Sequence, residues 1–375
     1  MGVPRRARPA GCSRDPNEVP AVPDVVGGCS GSVSRGARRR GLGAAAAAVT
    51  VWLSVVACSS GTAPPGAPER GGGSAGAQRQ LSAEYWSDPE SKAAVAARGL
   101  RAQGRAADAD QIDKIATQPV AYWPTGQTAT VQGDFARVMS EAGAARRTPV
   151  LVAYNIPGRD CGQFSSGGAG GTMDYRSWVN NFLAGMAGRT AVVILEPDAL
   201  PQTLNGCVPP QQRDQRWQLL TEATADFARA GNMVYIDAGG PGFVTDVGQL
   251  ANGLRRAGVG QAAGFSLNVS NFAATDDVVA YGRQVSAKVG KPFVVDTSRN
   301  GRGTYRGDNH GAPATCNPPG RALGTPPTSH PGRPGVDAYL WIKKPGESDG
   351  ACQPGAPEAG QWWPSYALDL ARNSP

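Results

Sequence analysis

Apolar runs with the length of β-strands alternate along the chain with stretches of helical periodicity. Seven such runs lie at 120–123, 149–155, 191–196, 233–237, 264–268, 293–296 and 338–342. The stretches between them are amphipathic; in the stretch from Arg213 to Gly231, one face carries Trp217, Leu220, Phe227 and Ala228. Strands that alternate with helices predict a parallel sheet and hence an α/β fold.

Residues that a pure core would avoid follow each of these runs closely. They are Trp123, Asp160, Glu196 with Asp198, Asp237, Asn268, Asp296, and Lys343 with Glu347 and Asp349. Polar groups that converge at the carboxyl ends of parallel strands are typical of the active site of a β/α barrel. The pattern therefore favours a barrel over an open doubly wound sheet, and neither a G-x-G-x-x-G nor a Walker motif supports nucleotide binding.

The chain divides into a leader at 1–58, a Gly/Pro-rich linker at 59–80 and a single catalytic domain at 81–375. Four arginines between 35 and 40 precede an uncharged, Ala-rich run that ends at Cys58, which indicates an export signal. The run is short for a membrane span, and a buried helix is the alternative. Because the residues at 55–58 read VVAC, similar to a bacterial lipobox, we expect an exported protein that is either secreted or anchored to the cell surface by a lipid at Cys58.

Charge and composition exclude several classes of function. The net charge is +7, but eight arginines and three acids at 1–40 account for most of it, so the domain has no basic groove for nucleic acid. The only histidines are His310 and His330, both in a Gly/Pro-rich stretch. A His-rich zinc site and a Ser-His-Asp triad are therefore not expected.

Four of the seven cysteines fall in the domain, at Cys161, Cys207, Cys316 and Cys352. Four cysteines in an exported domain suggest two disulfides, with three alternative pairings. The spacing favours Cys161 with Cys207 and Cys316 with Cys352. A four-cysteine zinc site is the alternative, but no C-x-x-C pair exists.

The domain offers many acids at loop positions, few bases and no nucleophile with a partner. Acid/base chemistry that relies on carboxylates alone is characteristic of glycoside hydrolysis. Aromatic residues near the acids would suit sugar faces, although each could equally belong to the core: Tyr122, Trp123, Tyr154 and Trp341.

Two segments resemble the signature sequences of the glycoside hydrolase family 6 cellulases: VAYNIPGRDCGQFSSGGAG at 152–170 and VVILEPDALP at 192–201. Five more agree in order, at 118–123, 264–272, 294–301, 316–324 and 340–350. The resemblance covers about 81–375. It implies a distorted, incomplete parallel β/α barrel of about seven strands, the same disulfide pairs, and inverting hydrolysis of β-1,4-glucan without cofactor or metal.

Carried over by position, the resemblance assigns three catalytic carboxylates. Asp198 matches the general acid, and Asp160 matches a neighbour that keeps the pKa of that acid high. Asp349 matches the carboxylate proposed as the base. An inverting enzyme holds acid and base ~6.5 to 9.5 Å apart to admit water.

The resemblance also implies a set of substrate contacts. Tyr154 lies under the distorted sugar, and Ser166, in a glycine-rich loop that closes on substrate, positions the water. The other matched positions are a stacking platform and polar sugar contacts, namely Trp123, Lys343, Glu347, Asp237 and Asn268. For Asp237, Asn268 and Asp296, a buried group that ties strand ends together is an equally good interpretation.

Three positions depart from the family pattern: Gly240, Phe243 and Thr315 stand where the family usually has histidine, tryptophan and tryptophan. The departures predict weaker sugar contacts with the chemistry unchanged. We expect a monomeric enzyme that cuts a β-glucan internally, because the segments between paired cysteines are as short as in internally cutting members. The alternative is a non-hydrolytic glucan-binding surface lipoprotein derived from a cellulase.

Overall fold

A computed structural model describes residues 84–375. The leader with Cys58, the whole linker and residues 81–83 lie outside the described residues. Six parallel strands form one sheet in the order β1 to β6, so that each strand pairs with its neighbour in sequence. They are β1 Val150–Ala153, β2 Val192–Leu195, β3 Met233–Asp237, β4 Gly264–Leu267, β5 Phe293–Asp296 and β6 Val336–Leu340.

Helices connect successive strands from β1 to β5 and pack on the outside of the sheet, whereas residues 297–335 join β5 to β6 without a helix. Ten α-helices lie within 84–375, along with a 3₁₀ turn at Asp160–Gly162. They are α1 Lys92–Ala102, α2 Ala106–Ala116, α3 Val131–Asp134, α4 Ala136–Ala144, α5 Thr172–Gly185, α6 Ala199–Leu204, α7 Pro210–Arg229, α8 Val247–Arg256, α9 Thr275–Val289 and α10 Pro364–Arg372. None of the helices between 84 and 375 has the length and apolarity that a membrane crossing requires.

The predicted strand at 120–123 is not a regular strand. Val120 forms one parallel bridge to Trp341 and Tyr122 another to Leu151 in β1, so the segment links the two edges of the sheet. Prolines at 119 and 124 flank it, and proline cannot donate to a strand ladder. The barrel is therefore closed by two isolated bridges, and the other six predicted strands are confirmed.

Apolar residues lie on both faces of the sheet. Alternate strand positions such as Val152, Ile194 and Val294 point into the barrel, where they pack with Tyr235. The opposite positions face the helices, and Trp217, Leu220 and Phe227 of α7 are buried against them as the helical pattern predicts. Both layers are fully desolvated, which contributes ~25 cal/mol for each Å² of apolar surface removed from water.

Candidate active site

A cleft of about 810 Å³ lies at the carboxyl end of the strands, the end at which barrel enzymes place their active sites. Nine of the ten residues that the sequence assigns to catalysis or substrate binding line it: Trp123, Tyr154, Asp160, Ser166, Asp198, Asn268, Lys343, Glu347 and Asp349. Asp237 does not line the cleft. Gly240, Phe243 and Thr315 also line the cleft, so the departures from the family pattern fall on its wall.

Asp198 lies three residues beyond β2, where the chain turns into α6. Its backbone is left-handed, with φ +67°, a conformation that places its N–H toward Asp237. That N–H donates to Asp237 Oδ2 at 2.8 Å. Burial raises the pKa of the Asp198 carboxyl well above its usual value, and the charges of Asp237 and Asp160 raise it further.

Asp237 ends β3 and lies beneath Asp198. Its carboxylate is fully buried and accepts hydrogen bonds from the Asp198 N–H and from Ser266 Oγ at 3.2 Å. Burial raises its pKa as well. This side chain does not line the cleft, in contrast to the sugar contact that the resemblance implies; it lies behind Asp198 and is linked to it by that hydrogen bond.

Asp160 begins a compact loop that is tied at several points. Its Oδ2 accepts the Ser165 N–H at 2.6 Å, and the Arg159 N–H donates to Gly167 O at 3.1 Å. The disulfide between Cys161 and Cys207 joins the loop to the segment after α6, with 6.2 Å between the Cα atoms. Burial raises the pKa of Asp160, although the Ser165 N–H and the Arg159 charge oppose this effect.

Asp349 lies among positive charges, whereas Asp198 lies close to other carboxyls. Arg299 donates to its Oδ2 at 2.8 Å, the Asn317 N–H donates to the same oxygen at 3.0 Å, and Lys343 Nζ lies 3.2 Å from Oδ1. Burial alone would raise the pKa of this carboxyl, but the charges of Arg299 and Lys343 lower it below its usual value. The surroundings thus favour the ionised form of Asp349 and the protonated form of Asp198.

The second disulfide lies directly beside Asp349. It pairs Cys316 with Cys352, with 6.4 Å between the Cα atoms. It joins the two segments that carry Asn317 and Asp349, which also exchange a hydrogen bond from the Asp349 N–H to Asn317 Oδ1 at 2.7 Å. The loop-entropy model gives each disulfide about 3 to 4 kcal/mol of stability.

Two aromatic rings form one wall of the cleft. Trp123 and Tyr154 meet edge to face, with 5.5 Å between the ring centroids. Trp123 is fixed by donation from Nε1 to Ile342 O at 2.8 Å, and the Arg159 guanidinium lies 4.9 Å from the Tyr154 ring centroid. Burial raises the pKa of Tyr154, so its hydroxyl remains a neutral donor.

The predicted polar contacts divide into two groups. Lys343 and Glu347 are held at the cleft by ion pairs, Lys343 with Asp349 and Glu347 with Lys92 at 2.9 Å. Asn268 is 1% exposed, and its amide bonds to Asp296 O at 2.9 Å and to the Ala273 N–H at 3.1 Å. The hydrogen bonds of Asn268 thus join neighbouring loops, in agreement with the interpretation that it ties strand ends together.

Two important residues were not singled out as site residues from the sequence. Arg299, inside the segment VVDTSRNG, is completely buried and pairs with Asp349. Glu196, two residues before Asp198, accepts the N–H groups of Asn155 and Ile156 at 3.0 Å. Burial raises the pKa of Glu196 to about 7. Arg299 and Glu196 are charged residues within segments that resemble the family sequences, and this was the feature of the sequence that pointed to them.

Comparison with known proteins agrees with this geometry. The model of the glycosyl hydrolases family 6 matches residues 80–374. Endoglucanase A of Cellulomonas fimi is 42% identical over 300 residues, which are 79% of this chain and 62% of the relative. Endoglucanase 1 of Streptomyces halstedii is 43% identical over 299 residues, which are 76% of this chain and 88% of the relative.

Among solved structures, the endoglucanase Cel6 from Mycobacterium tuberculosis, in complex with methyl-cellobiosyl-4-deoxy-4-thio-β-D-cellobioside, is similar with a TM-score of 0.72. The identity is 42%, over 78% of this chain and 98% of that one. The resemblance read from the sequence motifs is thus confirmed, together with the predicted fold class. The chain belongs to the glycosyl hydrolases family 6.

Proposed function

We propose that this glycoside hydrolase cleaves internal β-1,4 bonds of a β-glucan with inversion at the anomeric carbon. The observation that carries the proposal is the contrast between two carboxyls in one cleft. Asp198 is half-buried and its surroundings raise its pKa, whereas Arg299 and Lys343 lower the pKa of Asp349 and favour its ionised form. The names of the bacterial relatives and the thio-oligosaccharide bound by the solved relative support a cellulose-like substrate.

Asp198 is the proposed general acid. Its high pKa keeps a proton available near neutral pH, and this proton passes to the glycosidic oxygen as the bond to the anomeric carbon breaks. Asp160 raises the pKa of Asp198, and its negative charge favours the oxocarbenium-like transition state. The Asp237 hydrogen bond to the Asp198 N–H keeps the acid oriented.

Asp349 is the proposed acceptor for the proton of the attacking water. Water adds to the anomeric carbon from the face opposite the departing sugar, and Asp349 takes up the proton that the water loses. Asp198 and Asp349 lie beyond different strands, β2 and β6, which suits the separation that an inverting enzyme needs. The low pKa of Asp349 makes it a weak base that returns its proton easily to solvent.

The remaining side chains bind the substrate in this proposal. Trp123 and Tyr154 present rings to the sugar faces, and Lys343 and Glu347 bond to sugar hydroxyls. Ser166, in the loop after Asp160, positions the attacking water. Export through the leader, lipid attachment at Cys58, a monomeric state and the domain boundaries at 58 and 80 stay predictions.

The effect of the Asp160 charge on the pKa of Asp198 should be measurable in the dependence of kcat on pH. A general acid works only while protonated, so kcat falls as the pH rises through the pKa of Asp198. Asp160→Asn removes a charge that raises this pKa, and we expect the alkaline limb of kcat to move to lower pH. The exposed carboxylate of Asp214, outside the cleft, provides the control Asp214→Asn. An unmoved limb in Asp160→Asn would contradict this role.

Internal cleavage can be tested by the ratio of viscosity loss to reducing ends. The disulfides join residues only 46 and 36 positions apart, which favours short loops and an open cleft. We expect the viscosity of carboxymethylcellulose to fall early, before many reducing ends accumulate. Slow viscosity loss with cellobiose as the sole early product would indicate cleavage from chain ends, and no release of reducing ends would indicate a glucan-binding protein.

A further inference from the structure

Phe164 has an exposed aromatic ring that is not part of the hydrophobic core. Within residues 84–375 only three large apolar side chains are exposed, Val95, Phe164 and Met173, and Phe164 is the one aromatic among them. It is 44% exposed and lines the cleft, whereas Val95 and Met173 do not. A single exposed apolar residue is common on protein surfaces; what distinguishes Phe164 is that its ring lines the cleft.

The backbone on either side of Phe164 is held in place. Ser165 donates its N–H to Asp160 Oδ2, and Ser165 O accepts from Arg159 Nε at 3.0 Å. These bonds and the disulfide at Cys161 fix the loop that carries the ring. A ring on an immobilised loop loses little conformational entropy when a ligand packs on it.

Phe164 packs on Gly350, the residue after Asp349. A Cβ atom built on Gly350 would lie 2.4 Å from Phe164 Cβ and 2.5 Å from Cγ, so the side chain rests directly against the glycine backbone. Gly350 has φ +148°, in the region that favours glycine. The ring is therefore placed beside the proposed base, with part of its surface still open to the cleft.

Two positions in the cleft carry no ring where the sequence predicts weaker stacking on the sugar. Gly240 and Thr315 line the cleft without an aromatic face. Polar residues line the same cleft as Phe164, among them its neighbour Gln163, Ser166 and Lys343. An apolar ring bordered by hydrogen-bonding groups is the chemistry that fits a sugar, which has C–H faces and hydroxyl edges.

We propose that Phe164 is a stacking platform for a glucosyl unit bound beside Asp349, and that it determines affinity for β-glucan chains. It offsets the rings that are missing at Gly240 and Thr315. The inference rests on the proposed function, since it names a further substrate contact of the same cleft.

The test measures binding of cellotetraose to the full chain by calorimetry, with Asp198→Asn in every variant so that the ligand stays intact. We expect Phe164→Ala to weaken the affinity about 5- to 10-fold and Phe164→Tyr to retain it. Phe164→Leu, which keeps an apolar side chain on Gly350 but lacks a ring, should bind as weakly as Phe164→Ala. Met173→Ala removes an exposed apolar side chain outside the cleft and should bind like the parent.

Two outcomes would overturn the inference. If Phe164→Leu bound as tightly as the parent while Phe164→Ala did not, Phe164 would act by packing on Gly350 and not by stacking on sugar. Unchanged affinity in both variants would remove Phe164 from the substrate site while hydrolysis by the native chain left the proposed function intact. A native chain that neither bound cellotetraose nor released reducing ends would instead refute the proposed function.

Discussion

Replacing Asp198 by asparagine is expected to lower kcat on unactivated β-glucan by a factor of about 10² to 10⁴, which is what loss of a general acid costs. Asparagine keeps the size of the side chain but cannot deliver a proton to the glycosidic oxygen. Substrate affinity should survive, because the rings of Trp123 and Tyr154 and the ion-paired Lys343 stay in place. Steady-state kinetics on a soluble glucan measure both quantities.

An aryl cellobioside with a good leaving group provides the internal control for Asp198→Asn. Such a leaving group departs without protonation, so its hydrolysis should fall much less than that of the glucan. Equal losses on both substrates would show that the substitution disturbs the site in general. Near-full activity on the glucan would show that another group supplies the proton.

The second large effect is expected at the pair formed by Asp349 and Arg299. Asp349→Asn removes the proposed base and leaves the guanidinium of Arg299, which is 0% exposed, without its charged partner. Removal of one member of a buried ion pair costs about 3 to 5 kcal/mol of folding stability. We therefore expect a clear fall in Tm together with a loss of kcat of about 10² or more.

The double variant Arg299→Met with Asp349→Asn separates the structural role of the pair from its chemistry. Methionine fills much of the same space without a charge, so the free energy of unfolding should recover most of the loss. The kcat should remain low, because the proton acceptor is still absent. Recovery of kcat along with stability would mean that Asp349 serves only to neutralise Arg299.

The sheet was predictable because a parallel strand buried on both faces appears as an uninterrupted apolar run. Strands β1 to β6 all fall within or overlap such runs. The segment at 120–123 has the same appearance, but its pairing depends on a strand at the far end of the chain and on the flanking prolines. Local patterns do not contain that information, and there the prediction of a regular strand was wrong.

The sequence predicted which residues lie at the site but not which way their side chains face. A carboxylate at or just after the end of a strand can face the cleft, as Asp198 does, or the core, as Asp237 does, and the sequence shows no difference between them. The backbone is left-handed at Asp198, with φ +67°, but not at Asp237, which ends β3. The low pKa of Asp349 likewise depends on Arg299, fifty positions away, which only the fold brings near.

The order of the strands has a consequence for how the chain reaches its native state. Every ladder in the sheet joins strands that are neighbours in sequence, so pairing can proceed stepwise with modest loop-closure entropy at each step. The bridge from Val120 to Trp341 is different, since it joins regions as distant as Trp123 and Ile342, which are 219 positions apart. Contacts of such long range are slow to form. We expect the six-stranded sheet to form first and the bridge from Val120 to Trp341 to form last. The wall of the cleft that carries Trp123 is then completed only at the end of folding.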